Sequence, residues 1–521
     1  MPKINVSAKV IYDISSGIYR SPANALKELI SNAFDADAAN VVIRTNRPFY
    51  NTITYYDDGE GMSPEEFEWA MSHIGGSRKR RDGEVSFTKK RRPLIGKIGI
   101  GILAVAQICK SFTVISTNKG SNIKIQAKID LKEFEASEVY ELVLADKDIT
   151  IGQYNIDKHP ENKSEHYTKF ILHEIREDFK TDLEEKREEF TDYSKYAQGT
   201  KPLFREAESK NFRDFIDWLR TKDVKKLKDY WRLLWELALY SPIEYFEDGP
   251  VLKEKIFTHK KRELASYGLT LDVDGFILKK PIILPVDNDI ETKGVDYAVY
   301  EIDSEKDGID KSQLKFTGYI FNQRKQIRNT ELQGILIRIK NVAIGKYDKS
   351  YLNCPISLGP IANFNSGEIY VEHGLEEALN IDRNSFRESN RQFKLLQVYV
   401  YELMSKIYRD TRQRSKERIA VRNKKQLIER RNSVKHALDL LSKKYSIKYG
   451  TLKHDSSEKP EVPIKYDKND IVIYTNHKIF EIRGIDKILL EKFLILSEIN
   501  KRADFVSAPD YYKALLEYLK K

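Results

Sequence analysis

Three polar residues recur at one-turn intervals near the start of the chain: Glu28, Asn32 and Asp35 stand at i, i+4 and i+7. On a helix that spacing gathers two carboxylates and an amide on one face. A carboxylate and an amide one turn apart suit a general base beside a magnesium ligand, because Mg²⁺ takes oxygen donors and keeps several waters. A polar stripe on an otherwise apolar helix is also what a solvated face looks like. A second stretch, Ile53-Thr-Tyr-Tyr, leads into Asp57-Asp58-Gly59-Glu60-Gly61-Met62. Two glycines after a strand permit positive φ and a close backbone approach to a ligand. An Asp at the strand end can accept a hydrogen bond from an exocyclic amine such as that of adenine; an ordinary Asp-Gly turn reads the same way. The third stretch, Gly96-Lys97-Ile98-Gly99-Ile100-Gly101, runs into an apolar segment ending at Ala104. Its exposed N–H groups and positive dipole end suit a phosphate, although it fits neither the P-loop nor the dinucleotide pattern.

The elements that must carry these residues are visible in the spacing around them. Ser21-Pro22 supplies a cap and a proline for the first helical position. Ala23, Leu26, Leu29, Ile30, Ala33 and Phe34 then recur at helical spacing. Asn40–Arg44 and Thr52–Tyr56 read as strands of one sheet, and Ser63-Pro64-Glu65-Glu66 opens a helix that Gly75-Gly76 ends. Strands near Thr113 and Ile123, and one at Thr168, complete that sheet.

The stretches in this order, with Thr168-Lys-Phe-Ile-Leu-His as a fourth, resemble the GHKL ATPase superfamily of gyrase, heat-shock chaperone, histidine kinase and MutL nucleotide-binding domains. The resemblance implies an α/β sandwich with helices on one face of a mixed sheet, binding ATP and Mg²⁺. It carries Glu28 over as the base that activates water, Asn32 as the Mg²⁺ ligand and Asp57 as the adenine-reading carboxylate. Asp35, Ala36, Gly59, Gly61 and Met62 would line the nucleotide pocket. Gly96, Lys97, Ile98, Gly99, Ile100 and Gly101 would lie against the phosphates, and Thr168 would assist adenine recognition through water. The Lys/Arg-rich stretch from Arg78 to Arg92 becomes the lid, with Arg78, Lys79, Arg91, Arg92 and Lys97 able to meet phosphates. A basic solvated loop has the same composition. The segment before Tyr19 is too short for the dimerisation helices of a sensor kinase, which argues against that class.

At 521 residues, 32% charged and 40% hydrophobic, the chain is long enough for two to four domains. Its net charge of +10 permits nucleic acid or other anionic partners without requiring them. Two cysteines, Cys109 and Cys354, with no Cys/His cluster, argue against disulfides and structural zinc and for a reducing cytoplasm. The start lacks the apolar core of a signal peptide, and no run approaches a membrane span.

The expected divisions are an ATP-binding domain over 1–180, a helical connector over 181–243, and a transducer-like α/β middle domain over 244–405. A basic helix over 406–445 and a small α/β unit over 446–521 follow. In the connector, Phe215, Trp218, Trp231, Leu234 and Trp235 have the spacing of helix core. The middle domain should hold strands at Leu269–Gly275, Tyr297–Ile302, Phe316–Phe321 and Gly334–Lys340. The segment Gly367–Phe386 is similar to the chaperone's middle domain, which implies that Arg383, with Asn380 nearby, reaches the γ-phosphate; Lys325 is a competing cation. The basic helix carries fourteen Lys and Arg against four acids, which suits either nucleic-acid phosphates or a solvated strut.

A nucleotide-gated switch is therefore expected, with a homodimer on ATP binding implied by resemblance. A DNA-associated ATPase, of MutL or microrchidia type, is one expectation for what it works on. A chaperone-like protein-remodelling ATPase with a protein client is another. A regulatory ATPase of a defence system, controlling a separate effector, is the third.

Overall fold

The structure is a computed structural model that describes residues 3–7, 22–72, 87–95, 105, 108–132, 148–183, 212–219, 229–246, 255–280, 297–310, 313–327, 329–380, 385–445, 448–456, 461–482, 484 and 486–500. The fold is mixed α+β and divides into two compact units, Met1–Tyr408 and Arg409–Lys521.

The first unit begins with a sheet of nine described strands. They are β1 (Lys3–Ser7), β2 (Asn40–Arg44), β3 (Ile53–Asp57), β4 (Cys109–Thr117), β5 (Ile123–Leu131), β6 (Asp148–Pro160), β7 (Tyr167–Ile175), β8 (Thr270–Val273) and β9 (Phe276–Leu278). Their order is β1-β6-β5-β4-β7-β3-β2-β8-β9. Helix α1 (Pro22–Asp35) lays Leu26, Leu29, Ile30, Ala33 and Phe34 into one apolar core with Val41, Ile43, Ile53, Tyr55, Phe112, Val114 and Leu172 of the strands. It stops in a Schellman turn. The Asp37 N–H reaches the Phe34 carbonyl at 3.2 Å and the Ala38 N–H reaches that of Ala33 at 3.0 Å, with Asp37 at φ +57°.

Helices α2 (Pro64–Ser72), α3 (Glu177–Leu183), α4 (Phe212–Leu219) and α5 (Asp229–Tyr240) follow in the chain. Helix α5 packs on α1, and Trp231, Leu234 and Trp235 join the same core. Helix α5, in the expected connector, thus builds this core, and Leu336 and Ala343 of the second sheet join it there. The strand expected at Leu269–Gly275 in the middle domain also belongs here, because β8 pairs in parallel with β2. Side chains explain that choice. Arg44 grips Asp272 at 2.7 and 2.9 Å, and Asp274 accepts the Thr45 N–H at 2.7 Å, its hydroxyl at 2.6 Å and the Tyr230 hydroxyl at 2.8 Å.

After helix α6 (Lys255–Ser266), a second sheet runs β10-β11-β14-β12-β13. Its strands are β10 (Tyr297–Asp303), β11 (Lys315–Gln323), β12 (Gly334–Ile339), β13 (Val342–Asp348) and β14 (Asn365–His373). Arg338 and Glu368 pair inside it at 2.6 Å, and Tyr245 donates to Glu368 at 2.8 Å. Burial alone would raise the Glu368 carboxyl, but Arg338 holds it down at about 2. Helix α7 (Arg391–Tyr445) starts well before the expected Lys406. Asn390 caps it at 2.9 and 3.1 Å to the N–H groups of Gln392 and Phe393. Phe393, Leu396, Val400, Met404 and Ile407 then form a stripe in the core of the second sheet.

In the second unit, Val434 and Leu438 of α7 pack with β15 (Leu452–Asp455), β16 (Ile464–Asp467), β17 (Asp470–Tyr474) and helix α8 (Lys487–Asn500) through Ile471, Ile473 and Ile495. Among the described residues no helix is long and apolar enough to cross a membrane.

Asp274→Ala leaves three donors without their acceptor and unfastens β8 from β2. A loss of about 2–4 kcal/mol is expected, read as a lower midpoint in chemical denaturation; an unchanged midpoint would show that backbone pairing alone holds the strand.

Candidate active site

Helix α1 brings Glu28 and Asn32 to one face but into different surroundings. Glu28 is 5% exposed, and Asn32, one turn later, is exposed. An exposed amide one turn from a buried carboxylate has the donor chemistry of a magnesium ligand that shares its ion with water and phosphate. Asp35 is half-buried and accepts the Ile95 N–H at 2.7 Å, anchoring the residue that immediately precedes Gly96. Residues 96–101 and Arg383 lie outside the described residues.

At the end of β3 the two adjacent aspartates divide their work. Asp58 accepts the N–H groups of Ala39 and Asn40, both at 2.7 Å, and the Asn40 side chain at 2.7 Å, so it ties two segments of backbone together. Asp57 is 4% exposed and accepts the Gly59 N–H at 3.0 Å. Burial pushes its carboxyl up to about 7, against the pull of the Gly59 N–H and the neighbouring Tyr55 hydroxyl.

The loop after Asp57 is pinned from three sides. Glu60 N–H donates to the Ala36 carbonyl at 2.8 Å, so the loop sits on the C-terminal end of α1. The Gly59 carbonyl meets His166 Nδ1 at 2.8 Å, which makes Nδ1 the protonated nitrogen of that ring. The Met62 N–H donates to Ser116 Oγ at 2.9 Å. Gly61 has φ +70°, and a Cβ there would stand 1.8 Å from the Thr117 carbonyl oxygen, so no other residue fits this crossing.

Thr168 stands opposite Asp57 across β3 and β7, with its hydroxyl 3.1 Å from that of Ser116. Ser116 already gives its one proton to the Tyr167 carbonyl at 2.8 Å, so Thr168 is the donor between them. The Thr168 oxygen keeps lone pairs to accept with. Ser116 and His166 escaped the sequence reading; Ser116 is one of several hydroxyls on alternating strands, and nothing local marks it.

The basic segment contributes differently from expectation. Arg92, expected to be able to meet phosphates, is 1% exposed; its guanidinium donates to the Tyr267 carbonyl at 3.1 Å and to the Phe34 carbonyl at 3.3 Å. It lies over the Phe34 ring at 5.0 Å, where it neutralises the C-terminal end of α1. Thr88 and Lys90 hold Asp37, the latter through its N–H at 3.0 Å, and Lys89 meets Glu60 at 2.6 Å. Residues 87–95 are therefore a clasp on the end of α1; Arg91 is exposed, and Arg78 and Lys79 lie outside the described residues. Lys325 sits in an exposed turn whose carbonyl accepts Gln323 Nε2 at 3.0 Å, and Asn380 is bound to Ser385 Oγ at 2.8 Å.

Residues 19–168 match the family of histidine kinase-, DNA gyrase B- and HSP90-like ATPases. The chain carries a GHKL ATPase domain. The match takes in α1, the Asp57–Met62 loop and Thr168, and leaves the second sheet and α7 outside it. Curated relatives resemble part of the chain. The DNA mismatch repair protein MutL of Anaplasma phagocytophilum (strain HZ) is 34% identical over 112 residues, 21% of this chain and 17% of that protein. The putative type II restriction enzyme HgiDII of Herpetosiphon aurantiacus is 32% identical over 118 residues, 23% of this chain and 18% of its own length. MutL of Chelativorans sp. (strain BNC1) is 32% identical over 104 residues, 19% and 17% of the two chains. The chain thus matches less than a fifth of the length of each of these relatives.

Asp57 gives the GHKL ATPase domain a pH signature without nucleotide. Its carboxyl binds a proton more tightly folded than unfolded, so the stability this group contributes is full below about 4 and is lost as pH rises to about 7. The decline attributable to this group is on the order of 4 kcal/mol at most. Unfolding of wild type and Asp57→Asn between pH 5 and 8 should show that slope in the first and its loss in the second; parallel curves would contradict it.

Proposed function

We propose that the chain is a cytoplasmic Mg²⁺-dependent ATPase, converting ATP and water to ADP and phosphate, and that it works as a nucleotide-gated switch on DNA. One observation carries the catalytic part. Within the family-matched segment, buried Asp57 opens a glycine loop that rests on the end of the same helix that presents Glu28.

In this reading the Asp57 carboxylate accepts the adenine amine, and the Thr168 oxygen accepts from a water bridging to the base. Gly59 and Gly61 keep side chains out of the base pocket, with Ala36 and Met62 as its walls. Glu28 orients the attacking water and takes its proton. Asn32 would hold Mg²⁺, which when bound supplies charge neutralisation at the phosphates. Residues 96–101 would wrap the phosphates, and Asp35 fixes the root of that loop through Ile95. Arg383 or Lys325 would bring a cation to the γ-phosphate from the middle domain. Glu28→Ala should lower the ATP turnover number by about 100-fold or more while leaving nucleotide affinity within a few-fold. Measured turnover equal to wild type would remove Glu28 as the base.

The DNA part rests on α7 and on similarity to DNA mismatch repair proteins and a putative type II restriction enzyme. From Val421 to Glu429 the helix is exposed on every side and carries Arg422, Lys424 and Lys425, flanked by half-buried Arg418 and exposed Arg431. A cation row on a solvated helix can follow a phosphate backbone, with affinity that falls as salt rises. Changing Arg422, Lys424 and Lys425 to Ala together should weaken duplex binding at low salt and flatten its dependence on salt by about two to three counterions. Binding that ignores both salt and these changes would exclude this surface.

The same helix exposes Ile419, Val421 and Ile428, at 57%, 69% and 48%. That supports a second reading, in which the switch docks a protein client or effector there, chaperone-like or as part of antiviral defence. Salt-insensitive capture lost in Val421→Asp would favour it. Under either reading the active form is a homodimer assembled on ATP.

A further inference from the structure

We propose that the β12–β13 hairpin is a two-point latch on the catalytic helix, in which Lys27 is the positioning residue for Glu28 and Lys340 for the root of the phosphate loop. This rests on the reading of Glu28 as the base.

Lys27 immediately precedes Glu28 and is 3% exposed. Its ammonium donates to the Ala343 carbonyl on β13 at 3.3 Å and lies 5.9 Å from the centre of the Tyr240 ring. A buried ammonium needs such partners, so the bond to β13 fixes how α1 is rotated and hence where Glu28 is aimed. The second point is the hairpin turn. Lys340 and Asn341 both have positive φ, +50° and +69°, the pattern of a tight type I′ turn that leaves the two side chains splayed. Lys340 Nζ donates to the Leu94 carbonyl at 3.0 Å and pairs with Glu376 at 3.3 Å. Leu94 precedes Ile95, whose N–H sits on Asp35, and Gly96 follows directly. Asn341 reaches Glu263 and the Tyr267 hydroxyl, both at 3.0 Å, and the Tyr267 carbonyl holds Arg92.

One hairpin of the second sheet therefore touches α1 beside Glu28, through Ala343, and, through Lys340, Leu94 and Ile95, beside Asp35. Among the described residues β13 is an edge strand, paired within the sheet with β12 alone, and its free side faces Lys27 through the Ala343 carbonyl. A shift of the hairpin moves the base and the root of the phosphate loop together. Force applied to the second sheet thereby sets turnover, and nucleotide in the loop pulls back on the sheet.

Steady-state ATP hydrolysis, nucleotide affinity and amide hydrogen exchange of residues 334–348, with and without ATP, test this on the full chain. The variants are Lys27→Met, Lys27→Arg and Lys340→Met. Lys27→Met should lower kcat about tenfold with affinity changed less than about threefold, the split expected of misaimed chemistry. Lys27→Arg, which can still donate to the carbonyl, should recover most of kcat, a rescue that loss of packing would not give. Lys340→Met should instead raise KM, since it frees the loop root. ATP should slow exchange across 334–348 in wild type and no longer do so in Lys27→Met. Thermal unfolding identifies a variant that fails to fold, and Lys340→Met, farther from the core, then carries the test through KM and exchange. Wild-type turnover with both Met variants unchanged in kcat, KM and exchange would overturn the latch and leave the ATPase reading intact. A wild type that binds no ATP would remove both.

Discussion

Burial of α1 from two sides is the constraint on which the rest of the first unit depends. The sheet takes Leu29, Ile30, Ala33 and Phe34 into its core, and α5 packs against the same helix with Trp231, Leu234 and Trp235 behind it. Each large side chain contributes about 1.5–3 kcal/mol by leaving water, so the helix is held far more firmly than a surface helix of its length. Glu28 and Lys27 are buried as a consequence, and each must find polar partners inside the fold. That is why the helix that presents Glu28 is wired by Lys27 to a strand more than 300 residues away.

The end of that helix does equal work. Asp37 in the left-handed region turns the chain, and its side chain then holds Thr88 and Lys90. The Ala36 carbonyl at the helix terminus receives the Glu60 N–H, and the Phe34 carbonyl takes Arg92 beside the Asp37 N–H. Unsatisfied carbonyls would cost more than the side chains spent on them, so satisfying the helix end also fixes the glycine loop and the clasp in place. A requirement of backbone hydrogen bonding thus organises the candidate pocket.

Local pattern made α1, β2, β3 and the glycine loop legible, because each has a period or a turn signal written within a few residues. The family followed from the order of those pieces. Contacts distant in the chain were not legible. The Arg44–Asp272 and Thr45–Asp274 pairs join residues more than 220 apart, and no local feature says that β8 prefers β2 to the second sheet. Arg92 read as a phosphate ligand because charge was visible and burial was not. Asp35 reads like Glu28 in spacing, yet the backbone of Ile95 occupies one of its oxygens. The start of α7 was placed late because its apolar stripe from Phe393 to Ile407 merges with the strand pattern before it, while the basic run after Lys406 is conspicuous.

Asp57 contrasts with Glu368 because the fold leaves it poorly compensated. Glu368 has Arg338 at 2.6 Å and is held at about 2, whereas Asp57 has an N–H and a hydroxyl nearby and rises to about 7. A fold selected for stability alone would give Asp57 a cation or replace it with an apolar residue. Keeping a half-compensated acceptor beside Gly59 and Thr168 makes sense if a donor arrives from outside. An amine-bearing base would complete the hydrogen bonding that the protein leaves open, and binding would then favour the ionised carboxylate. The same incompleteness that costs the fold stability is what would let the pocket discriminate, since a base lacking that amine would leave a buried carboxylate unpaired.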